Sequence, residues 1–193
     1  MENVRTFIAI TLPSGIRTRM ATVEEDLRRT GADFKWVEPE NLHLTVKFLG
    51  GVPADRLAAV FLALQKAAAE IEPFHITLAG VGAFPNLSHP RVIWVGASEG
   101  VKEATQLWRR VEDAMFELGF PPDDRPFTLH LTLGRERSPG RSRFLQQTAE
   151  KWVGYEFGRF EVASLTVFRS DLRPTGPVYT PLSTAAFERG YKS

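Results

Sequence analysis

Three of the four histidines in this chain are followed two residues later by threonine: His43-Leu-Thr45, His75-Ile-Thr77 and His130-Leu-Thr132. The first and third sit in near-copies, Asn41-Leu-His43-Leu-Thr45-Val-Lys-Phe and Thr128-Leu-His130-Leu-Thr132-Leu-Gly-Arg. Side chains alternate between the faces of an extended strand, so each copy offers an imidazole and a hydroxyl on one side and aliphatic groups on the other. Two such strands facing each other would surround one anion with two acid/base groups and two hydrogen-bond donors, which suits a phosphate ester. Histidine titrates near neutrality, so one ring can give a proton as the other takes one. For a cyclic phosphodiester that is sufficient. The base activates water for in-line attack, the acid protonates the departing ribose oxygen, and the hydroxyls hold the nonbridging oxygens where charge gathers. No metal is obligatory.

Two cations sit close to these motifs. Arg135 lies three residues beyond Thr132, an offset that aims it at the wrong face of a regular strand, unless Gly134 marks a bulge or strand end that re-aims it. Lys47 falls by simple alternation on the face of His43 and Thr45 and is a second candidate phosphate contact, set against a snorkelling lysine at a cleft edge. Arg135, Arg137, Arg141 and Arg143 crowd one Ser/Pro/Gly-rich stretch after the second motif, placed for phosphates next to a scissile RNA end or for plain solvation.

The elements that must position these groups alternate twice along the chain. Strand patterning at 5–12 is followed by helical spacing through Ile16, Met20, Val23 and Leu27 that Gly31 stops. Next come an extended piece at 34–37, the first motif strand at 42–49, an alanine-rich helix over 53–70 and a strand at 74–81. The second half reads as a strand at 91–96, a helix over 101–118 carrying Trp108, Val111, Met115 and Leu118 on its core side, and the second motif strand at 127–133. A shorter helix near 144–152, a long β segment at 157–169 and a strand at 179–187 complete it. A duplicated β-α-β-β-α-β order accounts for one motif in each half and predicts a single bilobal α+β domain over 1–193. His75 falls on the strand after the second helix, not on a motif strand, and its flanks match neither copy. It is expected on the surface or in a structural role, outside the cleft, and His89 beside Pro90 is expected in a turn.

Composition narrows the chemistry further. The chain has 193 residues, 43% of them hydrophobic, enough for a sizeable core, and no cysteine, which removes disulfides, thiolate nucleophiles and Cys-ligated metals. No apolar run is long enough to span a bilayer and no secretory signal pattern opens the chain, so a cytoplasmic protein is expected, away from membranes. A formal net charge of +1 confines any nucleic-acid contact to one small region. No phosphate-binding Gly-x-x-x-x-Gly-Lys loop and no His-x-His or His-Glu-x-x-His cluster occurs, so no metal or other cofactor is expected. Nothing demands an oligomer, and a monomer is expected.

Trp36-Val-Glu-Pro-Glu-Asn-Leu-His43-Leu-Thr45-Val-Lys-Phe-Leu-Gly50 and Phe127-Thr-Leu-His130-Leu-Thr132-Leu-Gly-Arg135 resemble the paired signatures of the two-histidine phosphoesterases. Within that superfamily the chain is most similar to the RNA 2′,3′-cyclic phosphodiesterases, also called 2′-5′ RNA ligases, from the Arg5-Thr-Phe-Ile-Ala strand through Arg91-Val-Ile-Trp94 to Val167-Phe-Arg-Ser170. The resemblance implies a pseudo-two-fold α+β fold, with two antiparallel-rich sheets facing a central cleft and helices outside. It implies metal-free hydrolysis of RNA or nucleotide 2′,3′-cyclic phosphates to 2′-phosphomonoesters. His43 then protonates the leaving O3′ and His130 activates water, although the reverse reaction exchanges those duties. Thr45, Thr132 and Arg135 contact phosphate. Phe48 matches an aromatic that stacks a terminal base, while simple alternation would place it on the Leu44/Val46 side, in the core. Two other readings use the same residues: 2′-5′ ligation of a cyclic end to a 5′-hydroxyl, and a nucleotide-binding module without catalysis.

Overall fold

The computed structural model describes residues 2–138, 143–174 and 176–188. The chain runs β1 (Asn3–Thr11), α1 (Ser14–Arg28), β2 (Phe34–Trp36), a short 3₁₀ turn, β3 (His43–Pro53), a second 3₁₀ turn, α2 (Leu57–Ala69), β4 (Phe74–Asn86), β5 (His89–Glu99) and α3 (Val101–Glu117). It continues through β6 (Leu131–Glu136), α4 (Arg143–Glu150), β7 (Glu156–Val162), β8 (Ser164–Arg173) and β9 (Gly176–Ala186). α1 buries Ile16, Met20, Val23 and Leu27, the stripe that its spacing predicts. Several boundaries differ from the expected order: β3 runs on through Gly50 and Gly51 to Pro53, so α2 begins only at Leu57, and β4 continues to Asn86. The long segment at 157–169 is two strands, broken at Ala163, and the second motif enters its strand only at Leu131, with the residues before it in irregular structure.

Strand pairing is antiparallel throughout, in the order β7-β4-β5-β6-β3-β1-β8-β9, with β2 also on β6. The two expected sheets therefore meet, at the single bridge Leu44↔Leu131 between β3 and β6. Helices supply the outer layer, and one contiguous core of aliphatic and aromatic residues lies between, including Ile8, Ile10, Leu44, Val46, Leu64, Ile93, Val111 and Leu131. The last strands of the two halves change places. β4, from the first half, pairs with β5 and β7, whereas β8 and β9, from the end of the chain, return beside β1. The halves are thus laced together rather than set side by side.

Candidate active site

The site is built around the Leu44↔Leu131 bridge. In antiparallel register the residues flanking that bridge put His43 level with Thr132 and Thr45 level with His130, all four on the face opposite the two buried leucines. Strand spacing and rise give this patch a size of roughly 5 by 7 Å, which one tetrahedral phosphate can touch at every corner.

Each histidine is held in the same manner. His43 Nδ1 lies 2.6 Å from the Asn41 carbonyl oxygen, and His130 Nδ1 lies 2.7 Å from the Thr128 carbonyl oxygen. A carbonyl only accepts, so in both rings Nδ1 carries the proton and Nε2 is left for chemistry, as base when neutral and as acid when protonated. Asn41 is itself tied down, its Nδ2 donating to the Pro177 carbonyl oxygen at 3.0 Å. Burial lowers the His43 pKa from the ordinary histidine value, with a smaller opposing effect from its bond to Asn41.

Aromatic rings wall both imidazoles. Phe7 lies 4.8 Å from the His43 ring centroid and Tyr179 meets that ring edge-on at 5.3 Å. Around His130 stand Phe84 at 5.3 Å and Trp94 at 6.5 Å, both edge-on. The Trp94 indole lies across Gly82, where a Cβ would run into the ring, so only glycine fits there. These four rings were not singled out as site residues in the sequence. The signal was present in β1, where Arg5 and Phe7 alternate with the core residues Thr6 and Ile8, but an aromatic in a strand reads first as core.

The cations and Phe48 are sorted by two β-bulges at matching places. On β3, Thr45 pairs with Ala9 and Lys47 with Ile8, so Val46 is the extra residue. On β6, Thr132 pairs with Trp94 and Gly134 with Ile93, so Leu133 is the extra one. Each bulge inverts the alternation beyond it. In the second motif the inversion re-aims Arg135 to an exposed position on the cleft side. In the first it corrects the reading of Lys47. That residue does not share the face of His43 and Thr45. It is 1% exposed, with Nζ donating to Glu112 Oε1 at 2.6 Å and to the Pro121 carbonyl oxygen at 3.0 Å, behind the sheet. Phe48 takes the outward place instead and is 58% exposed, open to a stacking partner. At Gly134, the counterpart of Lys47, a Cβ would lie 2.7 Å from Trp36.

A cavity of about 760 Å³ adjoins the motif residues. Phe7, Asn41 and Tyr179 connect it to His43, and Phe48, Trp36, Arg5, Arg135 and Arg137 also line it. Burial pushes the Tyr179 hydroxyl up, opposed by the nearby charges of Arg135 and Arg5. Arg141 lies outside the described residues, as does the side chain of Arg143. His75 stays apart from this region. It is exposed on β4 opposite Glu161 of β7, and Thr77 is committed to Glu99 Oε2 at 2.7 Å. His89 sits in the turn with Asn86 and Ser88.

Comparison with known proteins places these observations in a family. The model for LigT-like phosphoesterases matches the chain twice, over residues 10–94 and 95–179, one match for each half of the duplicated order. A protein of Methanothermobacter thermautotrophicus named RNA 2′,3′-cyclic phosphodiesterase is 34% identical over 179 residues, 93% of this chain and 96% of its own length. One of the same name from Archaeoglobus fulgidus is 36% identical over 93% of this chain and 98% of its own. Among solved structures, a Thermus thermophilus protein, TT0787, superposes with a TM-score of 0.81 at 30% identity, covering 97% of this chain and all of its own. The E. coli LigT complex with 3′-AMP gives 0.79 at 27% identity over 97% of this chain and all of its own. Matched along nearly its whole length and in both halves, this chain belongs to the LigT-like phosphoesterase family.

Proposed function

We propose that the protein hydrolyses RNA or nucleotide 2′,3′-cyclic phosphates to 2′-phosphomonoesters, working as a monomer and without a metal. The observation that carries this is the symmetric pair of histidines, each with Nδ1 fixed by a backbone carbonyl and Nε2 free, around one phosphate-sized patch. Relatives named for the same reaction support it. His130 Nε2 takes a proton from water as its oxygen attacks phosphorus. The P–O3′ bond breaks, and His43 Nε2 delivers a proton to O3′. Thr45 and Thr132 donate to the nonbridging oxygens. Arg135 neutralises the charge gathering there, and Phe48 offers a stacking face to the terminal base.

The test is a short RNA bearing a 2′,3′-cyclic phosphate, incubated with enzyme, EDTA, and with or without a 5′-hydroxyl RNA. The 2′-phosphomonoester should accumulate in EDTA at the full rate, and His43→Ala or His130→Ala should each abolish it. Joined product alone would favour ligation. Undiminished hydrolysis by either variant would overturn the catalytic roles. A single species of about one chain's mass in sedimentation would support the monomer.

A further inference from the structure

The two imidazoles are pinned alike, but the carbonyls that pin them are not held alike. The Asn41 carbonyl sits at the end of a 3₁₀ turn, where the Asn41 N–H donates to the Glu38 carbonyl oxygen at 2.8 Å and the Asn41 side chain is tied to Pro177. The Thr128 carbonyl has no such turn beneath it. Residues 121–130 are neither helix nor strand, and among the described residues no backbone–backbone hydrogen bond outside the β ladders joins residues 121–129 to the rest of the chain. Side chains of α3, one turn apart, hold this strap at two points instead. Near its start, Glu112 Oε2 accepts from the Asp123 N–H at 3.2 Å. Near its end, Trp108 stacks on Phe127, with ring centroids 5.4 Å apart and planes 11° from parallel. The second hold stands immediately before the carbonyl that matters. Thr128 is exposed, but Phe127 is half-buried and Leu129 is buried in the core. With both neighbours fixed, the chain between them has little freedom to turn, and its oxygen is kept 2.7 Å from His130 Nδ1.

We infer that Trp108 is a positioning residue for His130. Through Phe127 it holds the Thr128 carbonyl where that oxygen keeps the ring proton on Nδ1 and leaves Nε2 for the reaction. The effect on rate rests on the proposed reaction, whereas the state of the ring is a property of the protein alone. Without the stack the carbonyl turns away and both neutral tautomers of His130 become populated. The form protonated at Nε2 cannot take a proton from water there.

Nitrogen NMR of the isotope-labelled protein, above the titration of both rings, reads which nitrogen carries the hydrogen, with His130 assigned by its loss in His130→Ala. Kinetics on a cyclic dinucleotide gives kcat and KM. In the wild type both rings should be Nδ1–H. Trp108→Leu, apolar but without a flat face, should move His130 to a mixture of tautomers, leave His43 unchanged and lower kcat about tenfold or more with KM changed far less. Trp108→Phe, which returns a ring to Phe127, should recover most of both. Phe127→Leu breaks the stack from the strap side and should repeat Trp108→Leu, carrying the test where circular dichroism shows that Trp108→Leu does not fold. Phe187→Leu breaks another near-parallel stack, that of Phe74 with Phe187, and should leave His130 as in the wild type. A folded Trp108→Leu whose His130 stays Nδ1–H would overturn the inference, whether or not kcat falls. So would the same tautomer change in Phe187→Leu. If the wild type hydrolyses nothing, the proposed reaction fails by itself and the tautomer comparison still decides the role of Trp108.

Discussion

At the scale of single residues, the site depends on how each imidazole is oriented and how wet it is. Both rings are pinned through Nδ1 by the carbonyl two residues earlier, so the tautomer is fixed by backbone and not by a partner carboxylate. Burial makes protonation of His43 harder than for an ordinary histidine, near 6.5. As the acid, His43 is active only while protonated, and its protonated form is lost as pH rises through the lowered value. The alkaline limb of kcat/KM for the free enzyme is therefore expected below about pH 6.5, measured on a cyclic dinucleotide. A limb near or above 7 would remove His43 from the acid role. In the proposed mechanism Thr45→Ala and Thr132→Ala each remove one donor to a developing oxyanion, and each should lower kcat about 10²-fold or more with KM changed far less. Single-substrate kinetics checks the split. Phe48 and Arg135 occupy equivalent places after the two bulges, one aromatic and one cationic. The two halves have thus diverged at the exposed position that follows each bulge.

Among the elements, the contact that ties the outer layer to the motif strand is the ion pair between Lys47 of β3 and Glu112 of α3. Lys47 also holds the Pro121 carbonyl, and Glu112 Oε2 accepts from the Asp123 backbone N–H at 3.2 Å, so the irregular stretch leading to His130 is anchored from behind the sheet. Removing one partner strands the other charge, and Lys47→Met should cost about 3–5 kcal/mol in urea unfolding. The double variant Lys47→Met/Glu112→Leu should recover most of that loss, because it removes both charges together. On α1, Glu24 is buried with Oε1 accepting from Arg28 and Oε2 without a partner, and desolvation raises its pKa to about 7. A folded-state pKa above the unfolded one means stability is fully present below about 4.5 and is lost as pH rises through about 7. The melting temperature should therefore decline between pH 5 and pH 8 with a slope that Glu24→Gln flattens, as thermal melts across that range will show.

For the molecule as a whole, the decisive feature is that the two halves share one bridge at the pseudo-symmetry axis, and the proposed reaction is placed there. Leu44 and Leu131 are fully buried beneath the four motif residues. Leu131→Ala should destabilise by about 2–5 kcal/mol. It should also lower kcat well below wild type at temperatures where circular dichroism shows the variant folded, since the cavity it leaves behind the sheet loosens the bridge that sets His43 and His130 in register. How much of this was legible beforehand differs from residue to residue. The sequence alone determined the local geometry of the candidate reacting groups. His-x-Thr on an alternating strand puts ring and hydroxyl together, helical spacing predicts the buried stripe of α1, and Gly134 signals the bulge that re-aims Arg135. Those features are local, carried by a two-residue or four-residue period. Tertiary structure decided the rest. The matching bulge at Val46 has no glycine to announce it and exists only in the register with β1. Because of it Lys47 turns inward to Glu112, and Phe48 turns outward to the cavity. The exchange of β4 against β8 and β9 likewise brings Tyr179, from the far end of the chain, against His43, and Phe84 against His130. Such neighbours come from pairing between strands distant in sequence, which no local period encodes, because register is set by the partner strand and not by the strand itself.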